Sequence, residues 1–342
     1  MNHLPEPEVL VKHYELTIEA WEKAVGAMLD SHKVYAPVKR WGSMDYEPIT
    51  TEKIPSIVYN EPKPVSPLKL FLLPVKENVV LEPDLVKPLV VIGTPACDLW
   101  ALDLLDKFYL NSDFIDPYYK LRREKLILIG TDCHSSLEHC HCTSYGLNPV
   151  PEKNQDMLIS VIYGKVLLEV HTEKGEKLLE SIKGVAEFQA AGNGLPETLI
   201  QKRREVKSAI DKANKQLPNY QETTSAVKNA GEDIWEKYAK TCVSCGACAT
   251  ICPTCTCFLL IDRPGFEKVK QMDACQYPGF QRVAGGEDPH RQHHIRFSNR
   301  YFCKYVFRPE KFDALACTGC GRCIEACIGK INKNELFIEI TK

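Results

Sequence analysis

The chain has 342 residues, enough for about two domains at roughly one per 150 residues, so a single compact unit is not expected. Lysine and arginine number 43 against 45 acidic residues, a balance that excludes any global pull toward nucleic acid or an anionic membrane. No run approaches the ~18 apolar residues of a membrane span, and Met1 to Glu22 lacks the segments of a signal peptide, so a cytoplasmic location is expected.

In chain order, Leu10, Tyr14, Ile18, Trp21 and Val25 stand at helical spacing and predict a helix over Pro7 to Leu29. Leu89–Ile92 and Leu126–Gly130 are apolar enough for buried strands. The segments between them, Asp98 to Leu110 and Asp116 to Lys125, read as a helical crossover, giving a βαβ-like unit and a partly parallel sheet. Met157–Ile162 and Val166–Val170 flank Tyr163-Gly164-Lys165 as a hairpin or tight connection, and Glu173–Ile182 has helical periodicity. The expected organisation is an α/β domain over residues 1–195, a helical connector over 196–240 broken at Pro218, and a third unit over 241–342.

Sixteen cysteines in a chain of this size, grouped rather than dispersed, indicate metal or redox chemistry. Cys242, Cys245, Cys248 and Cys252 repeat in spacing as Cys317, Cys320, Cys323 and Cys327. This is the two-cluster ferredoxin pattern, in which the fourth cysteine of each run ligates the other run's cluster. Cys242, Cys245, Cys248 and Cys327 are thus expected to share one [4Fe-4S] cluster, and Cys317, Cys320, Cys323 and Cys252 a second, so the two runs should touch. Gly246, Gly319 and Gly321 among the ligands are expected to let backbone amides approach the inorganic sulfurs. Zinc is the competing reading, but its structural sites usually draw on two separated cysteine pairs. The long insert between the runs, Asp262–Asp313, is expected to add helices, so the fold class is an α/β N-terminal domain followed by a mainly helical two-[4Fe-4S] ferredoxin domain.

Cys97 and Cys133 follow the two predicted strands at the same sheet edge, where loops commonly build sites. Cys140 and Cys142 come shortly after, on a loop with His134, His139 and His141. These four thiols suit a third metal centre, zinc or iron–sulfur; buried free cysteines are the plainer reading.

Several segments together resemble a known group. They are Pro95-Ala96-Cys97-Asp98, Asp116-Pro117-Tyr118-Tyr119, Arg122-Arg123-Glu124, Cys133 with Cys140 and Cys142-Thr143, Cys252-Pro253-Thr254-Cys255-Thr256-Cys257-Phe258, Ala284-Gly285-Gly286, and Arg296-Phe297 with Arg300-Tyr301. The chain resembles the β subunits of cytosolic nickel–iron sulfhydrogenases and the similar A subunit of anaerobic sulfite reductases over roughly residues 30–330. The resemblance implies an electron-transfer subunit with no catalytic residue of its own, relaying electrons between a flavin- and NAD(P)-binding subunit and a catalytic partner. It also implies three cubanes, the third on Cys97, Cys133, Cys140 and Cys142. Ile328 departs from the family pattern where proline is usual. The stretch Arg300-Tyr301-Phe302-Cys303-Lys304 is closer to the hydrogenase branch than to sulfite reductase. Flavin and NAD(P)H are expected on a partner, since Gly285-Gly286 does not follow a strand in a dinucleotide-binding frame.

Cys255, Cys257, Cys275 and Cys303 are left without a role, packing near the clusters being the plain reading and an extra metal or thiol pair the alternative. The basic run from Arg282 to Arg308 is read as a face that meets water, with tuning of an anionic cluster or docking of an acidic partner as the alternatives. Its interleaved aromatics suit core or interface better than nucleic acid. A zinc-stabilised scaffold, and a reductase with an open cluster site, are the rival functional classes.

Overall fold

A computed structural model describes residues 11–80, 87–111, 113–191 and 195–342. The chain begins with β1 (Lys12–Thr17), α1 (Ile18–Ser31), β2 (Lys33–Arg40), β3 (Ser43–Pro48), β4 (Lys76–Asn78) and β5 (Leu89–Pro95). It continues through α2 (Ala96–Tyr109), the short pair β6 (Leu110–Asn111) and β7 (Phe114–Ile115), α3 (Pro117–Lys125) and β8 (Leu126–Thr131). Then come β9 (Met157–Ile162), β10 (Lys165–Val170), α4 (Glu173–Ile182) and β11 (Gln189–Ala190).

An eight-stranded sheet runs in the order β11-β1-β10-β9-β8-β5-β2-β3. Its centre, β2-β5-β8-β9, is parallel, and its flanks are antiparallel. The parallel strands β5 and β8 are near-continuous apolar runs because helices cover both faces. Trp21, Met28, Val90, Ile92, Ile129 and Leu179 form the core on one face, and Leu99, Leu102, Tyr119 and Leu128 the core on the other. Local chemistry sets the helix starts: Asp116 accepts from the amides of Tyr118 and Tyr119 ahead of Pro117, and Thr172 from that of Gly175.

The N-terminal helix expected over Pro7 to Leu29 is instead β1 followed by α1. Tyr14 sits in strand, paired with Leu168 and Ala190. Thr17 caps the helix by accepting from the Ala20 amide at 3.1 Å. Pro7 to Leu10 lie outside the described residues.

Helices α5 (Glu197–Ala213), α6 (Tyr220–Asn229) and α7 (Glu232–Ala239) lead to the cysteine runs. A capping box of Asn219 and Glu222 opens α6 directly after Pro218. Beyond them lie α8 (Ala247–Thr250), β12 (Phe258–Arg263), β13 (Glu267–Met272), α9 (His293–Phe302), a π-helical turn (Cys303–Phe307), α10 (Arg308–Phe312), α11 (Arg322–Glu325) and α12 (Lys333–Ile340). The insert between the runs therefore starts as a β-hairpin and turns helical only at His293. The reason is a distant partner: β13 pairs with β4, placing Val269 opposite Asn78.

Candidate metal centres

Both cysteine runs fold alike. Gly246 and Gly321, at φ +73° and +77°, start the four-residue helices α8 and α11, and each helix carries the third cysteine of its run. Cys242, Cys245, Cys248 and Cys327 line one cavity, of about 520 Å³ of empty space. Cys252, Cys317, Cys320 and Cys323 line another, of about 330 Å³. The fold thus brings together each crossed set of four thiols, and Cys323 and Lys333 line both cavities. Cys245 is exposed, and its neighbours Val243 and Ile328 are 60% and 66% exposed; the second cavity lies deeper.

The other four predicted ligands also converge. Cys97 opens α2 directly after β5, and Cys133 follows β8, so both stand at the carboxyl edge of the parallel strands. Cys133 feels the charges of Cys140 and Cys142, and Cys97 those of Cys133 and Cys320. Burial pushes the thiols of Cys97 and Cys133 well up from their ordinary range, and the neighbouring thiols add to it. His141, fully buried, aims elsewhere: Nδ1–H donates to the His139 carbonyl at 2.7 Å and Nε2 accepts from Lys333 at 2.8 Å. Burial first, then Lys333, hold it neutral.

The Cys133–Cys142 loop packs directly on the second cysteine run. The His141 amide donates to the Gly319 carbonyl at 2.8 Å. A Cβ on Gly319 (φ +67°) would lie 2.5 Å from the Cys142 nitrogen, and one on Gly321 would lie 2.5 Å from the His139 oxygen. At Gly246 the same space is held by the Tyr277 ring. At all three glycines the place of a side chain is taken by neighbouring protein, so close packing alone already demands glycine there. Gly319→Ala is expected to cost about 1–2 kcal/mol for the left-handed backbone and a further ~1–3 for overpacking. It should push the 139–142 loop off the run and lower the metal content of the purified chain. Metal analysis of the purified variant checks this, and an undiminished metal content would refute it.

A buried ion pair ties the Cys97 segment to the same run. Arg322 meets Asp98 through two bonds of 2.6 and 2.9 Å, at 1% and 0% side-chain exposure. Asp98 adjoins Cys97, and Arg322 adjoins Cys323. Lys63, also buried, pairs with Glu325 at 2.7 Å; burial pulls its pKa down, but Cys140, Glu325 and Cys320 outweigh that and leave it raised.

The basic run is corrected in part. Arg296, Arg300 and Lys304 are buried, while Arg282 and Arg291 are exposed. Together with half-buried Arg308 they form a stripe every fourth residue along α9, the π turn and α10, beside the aromatic stripe Phe297, Tyr301 and Tyr305 in the core. Four residues drift about 40° around an α-helix, and the wider π turn takes back part of that drift, keeping both stripes aligned. Arg300 and Lys304 line the second cavity. None of Arg300, Lys304, Arg308 or Lys69 has a carboxylate partner among the described residues, and Arg300 Nε has no hydrogen-bond partner. Buried cations without anions are costly; the opposing charges that act on them most are thiols.

Among the described residues, one trio of donors lies within 4.8 Å of one another, the partly exposed Glu232, Glu236 and His294. The cysteine sets are more open than the ~3.8 Å sulfur–sulfur edge implied by a tetrahedral zinc ion with ~2.3 Å Zn–S bonds. No described helix is long and apolar enough to cross a membrane.

Residues 241–331 match the family model described as a 4Fe-4S dicluster domain. The chain is 28% identical over 341 residues to the Sulfhydrogenase 2 subunit beta of Pyrococcus furiosus, covering 96% of this chain and 98% of that protein. The resemblance seen in the motifs thus extends over nearly the whole length, and [4Fe-4S] chemistry in the C-terminal region is supported by the matched domain.

Proposed function

We propose that this chain is an iron–sulfur electron-transfer subunit of a multi-subunit oxidoreductase, holding three cubanes and no catalytic residue. The observation that carries the reading is the pair of cavities, each lined by a crossed set of four cysteines drawn from both runs and bordered by buried cations that lack carboxylate partners. A thiolate-ligated cubane is anionic and supplies the missing counter-charge. Cys242, Cys245, Cys248 and Cys327 hold the first cluster, Cys317, Cys320, Cys323 and Cys252 the second, and Cys97, Cys133, Cys140 and Cys142 the third. Packing of the 139–142 loop on Gly319, together with Cys323 lining both cavities, supports a relay in the order third, second, first. The exposed surface of Cys245, Val243 and Ile328 is then the outer terminus, where a partner docks.

The name of the Pyrococcus relative, a sulfhydrogenase subunit, favours a nickel–iron hydrogenase as the catalytic partner over a sulfite reductase, with flavin and NAD(P)H on a further subunit. Residues 1–195 then form the α/β platform for the third cluster, 196–240 the helical connector, and 241–342 the two-cluster domain. The wide sulfur spacing speaks against the zinc scaffold.

Anaerobic quantitation of iron, acid-labile sulfide and zinc per chain tests the reading. At least about twelve irons with matching sulfide are expected, four for each of three cubanes. About eight would confine electron transfer to the C-terminal runs, and zinc in place of iron would overturn the function altogether.

A further inference from the structure

Four cysteines stand outside the three sets, scattered in sequence at 255, 257, 275 and 303, yet the fold gathers them. Cys255 follows Cys252 through a turn in which its amide donates to the Cys252 carbonyl at 3.3 Å. Cys257 is at the base of the hairpin, where the Asp273 amide donates to its carbonyl at 3.0 Å. Cys275 is two residues further along the returning chain, and the Cys257 and Cys275 thiols lie near enough to act on each other's charge.

Cys303 arrives from the other side, at the start of the π turn. Arg308 fastens it to the loop. Its guanidinium lies within reach of the Cys303 charge, and it donates to the Thr254 carbonyl at 2.9 Å and to Thr256 Oγ1 at 2.5 Å. Thr254 and Thr256 flank Cys255. From below, buried Lys69 donates to the Cys255 and Ala249 carbonyls, both at 3.0 Å.

These contacts distinguish Arg308 from the other buried cations. Arg300 and Lys304 line the second cavity, so the cluster there neutralises them. The thiols that act on Arg308 are Cys303, Cys255 and Cys257, none of which belongs to the three sets. A cation and four thiols are thus assembled around a place to which no anion has yet been assigned.

We propose that Cys255, Cys257, Cys275 and Cys303 ligate a fourth [4Fe-4S] cluster, beside the second, with Arg308 as its counter-ion. The inference rests on the iron–sulfur reading above and extends it. Four thiolates complete the ligand set of a cubane. The spacing is again too open for one zinc ion, since no trio of these sulfurs falls within 4.8 Å. The turn that bonds the Cys255 amide to the Cys252 carbonyl sets the fourth site directly against the second cluster. One electron passes between them at a time, one cubane being oxidised as the other is reduced, so the relay has a side station or a branch at the Cys252 set.

The test compares the full chain, purified anaerobically, with its Cys257→Ser/Cys275→Ser variant. About sixteen irons with matching sulfide are expected for the unaltered chain, and about twelve for the variant, by four per cubane. One reduced-cluster signal should disappear from the electron paramagnetic resonance spectrum. Twelve or fewer irons in the unaltered chain would overturn the proposal without requiring any variant to fold. So would an unchanged count in the variant, a single zinc ion lost from it, or a Cys257–Cys275 disulfide found by mass spectrometry in the native chain. Cys317→Ser separates this failure from failure of the proposed function. If that variant loses iron and sulfide while the quartet variant does not, the relay stands and only the fourth cluster falls.

Discussion

Replacing Asp98 with alanine is expected to cost about 3–5 kcal/mol, the usual penalty for removing one partner of a buried ion pair. The mechanism is specific. Arg322 is among the largest fully buried side chains, and beyond Asp98 it has one further fixed acceptor, the Pro64 carbonyl at 2.9 Å. Losing the carboxylate strands a guanidinium in the interior and frees the Leu68 amide, which donates to Asp98 at 3.3 Å. Against a total stability of roughly 5–15 kcal/mol for a typical fold, that is about a fifth or more. The urea midpoint under anaerobic conditions measures it. Asp98→Leu combined with Arg322→Met removes both charges and should recover much of the loss; a single variant within about 1 kcal/mol of the parent would show that the pair is not what joins the Cys97 segment to the second cysteine run.

The parts of the fold that could be read from sequence are those whose chemistry is local. The strands at Leu89 and Leu126 and the helices between them follow from apolar run length, Asp116-Pro117 and the return to helical spacing. The doubled cysteine run is legible because the ligand pattern of a cubane is written in intervals of three. What escaped depends on partners far along the chain. Tyr14 fits a helical spacing with Leu10 and Ile18, and only the pairing with Leu168 and Ala190 makes it strand. The hairpin at 258–272 completes a sheet with residues 76–78, which no window around it contains.

The basic stripe escaped for a different reason. A charged helix face normally meets water, and most of the thiols that act on Arg300, Lys304 and Arg308 lie on other segments. The available signal was the four-residue interval 296, 300, 304, 308 running beside the aromatic interval 297, 301, 305: two adjacent stripes, both too regular for an exposed face. Likewise, the sequence sets Gly319 and Gly321 among predicted ligands but carries no sign that the Cys142 and His139 backbones press against them. Neither contact has a local signature.

Lys304 offers the sharpest separation between a counter-ion and an ordinary buried lysine. Its ammonium, 3% exposed as a residue, donates to Thr254 Oγ1 at 2.8 Å and to the Ala316 carbonyl at 2.9 Å. Burial alone would lower its pKa, but Cys252 and Cys255 outweigh that and hold it charged. Lys304→Met is a mild change for the hydrogen bonds, because Thr254 Oγ1 itself donates to Ala316 at 2.6 Å. For the charge it is severe, and the sign depends on the cluster. In the metal-free chain the variant removes a cation with no carboxylate partner and should hold or raise the urea midpoint. In the loaded chain it removes about 2–3 kcal/mol of attraction for the added electron at an effective dielectric of ~20. Since a one-electron couple moves ~59 mV per 1.4 kcal/mol, the potential of the second cluster should fall by on the order of 100 mV. A redox titration followed by electron paramagnetic resonance reads that shift directly. A potential unmoved by the substitution would mean that Lys304 balances thiolates or backbone dipoles rather than a cubane, and that the cavity beside it is not the site of the second cluster.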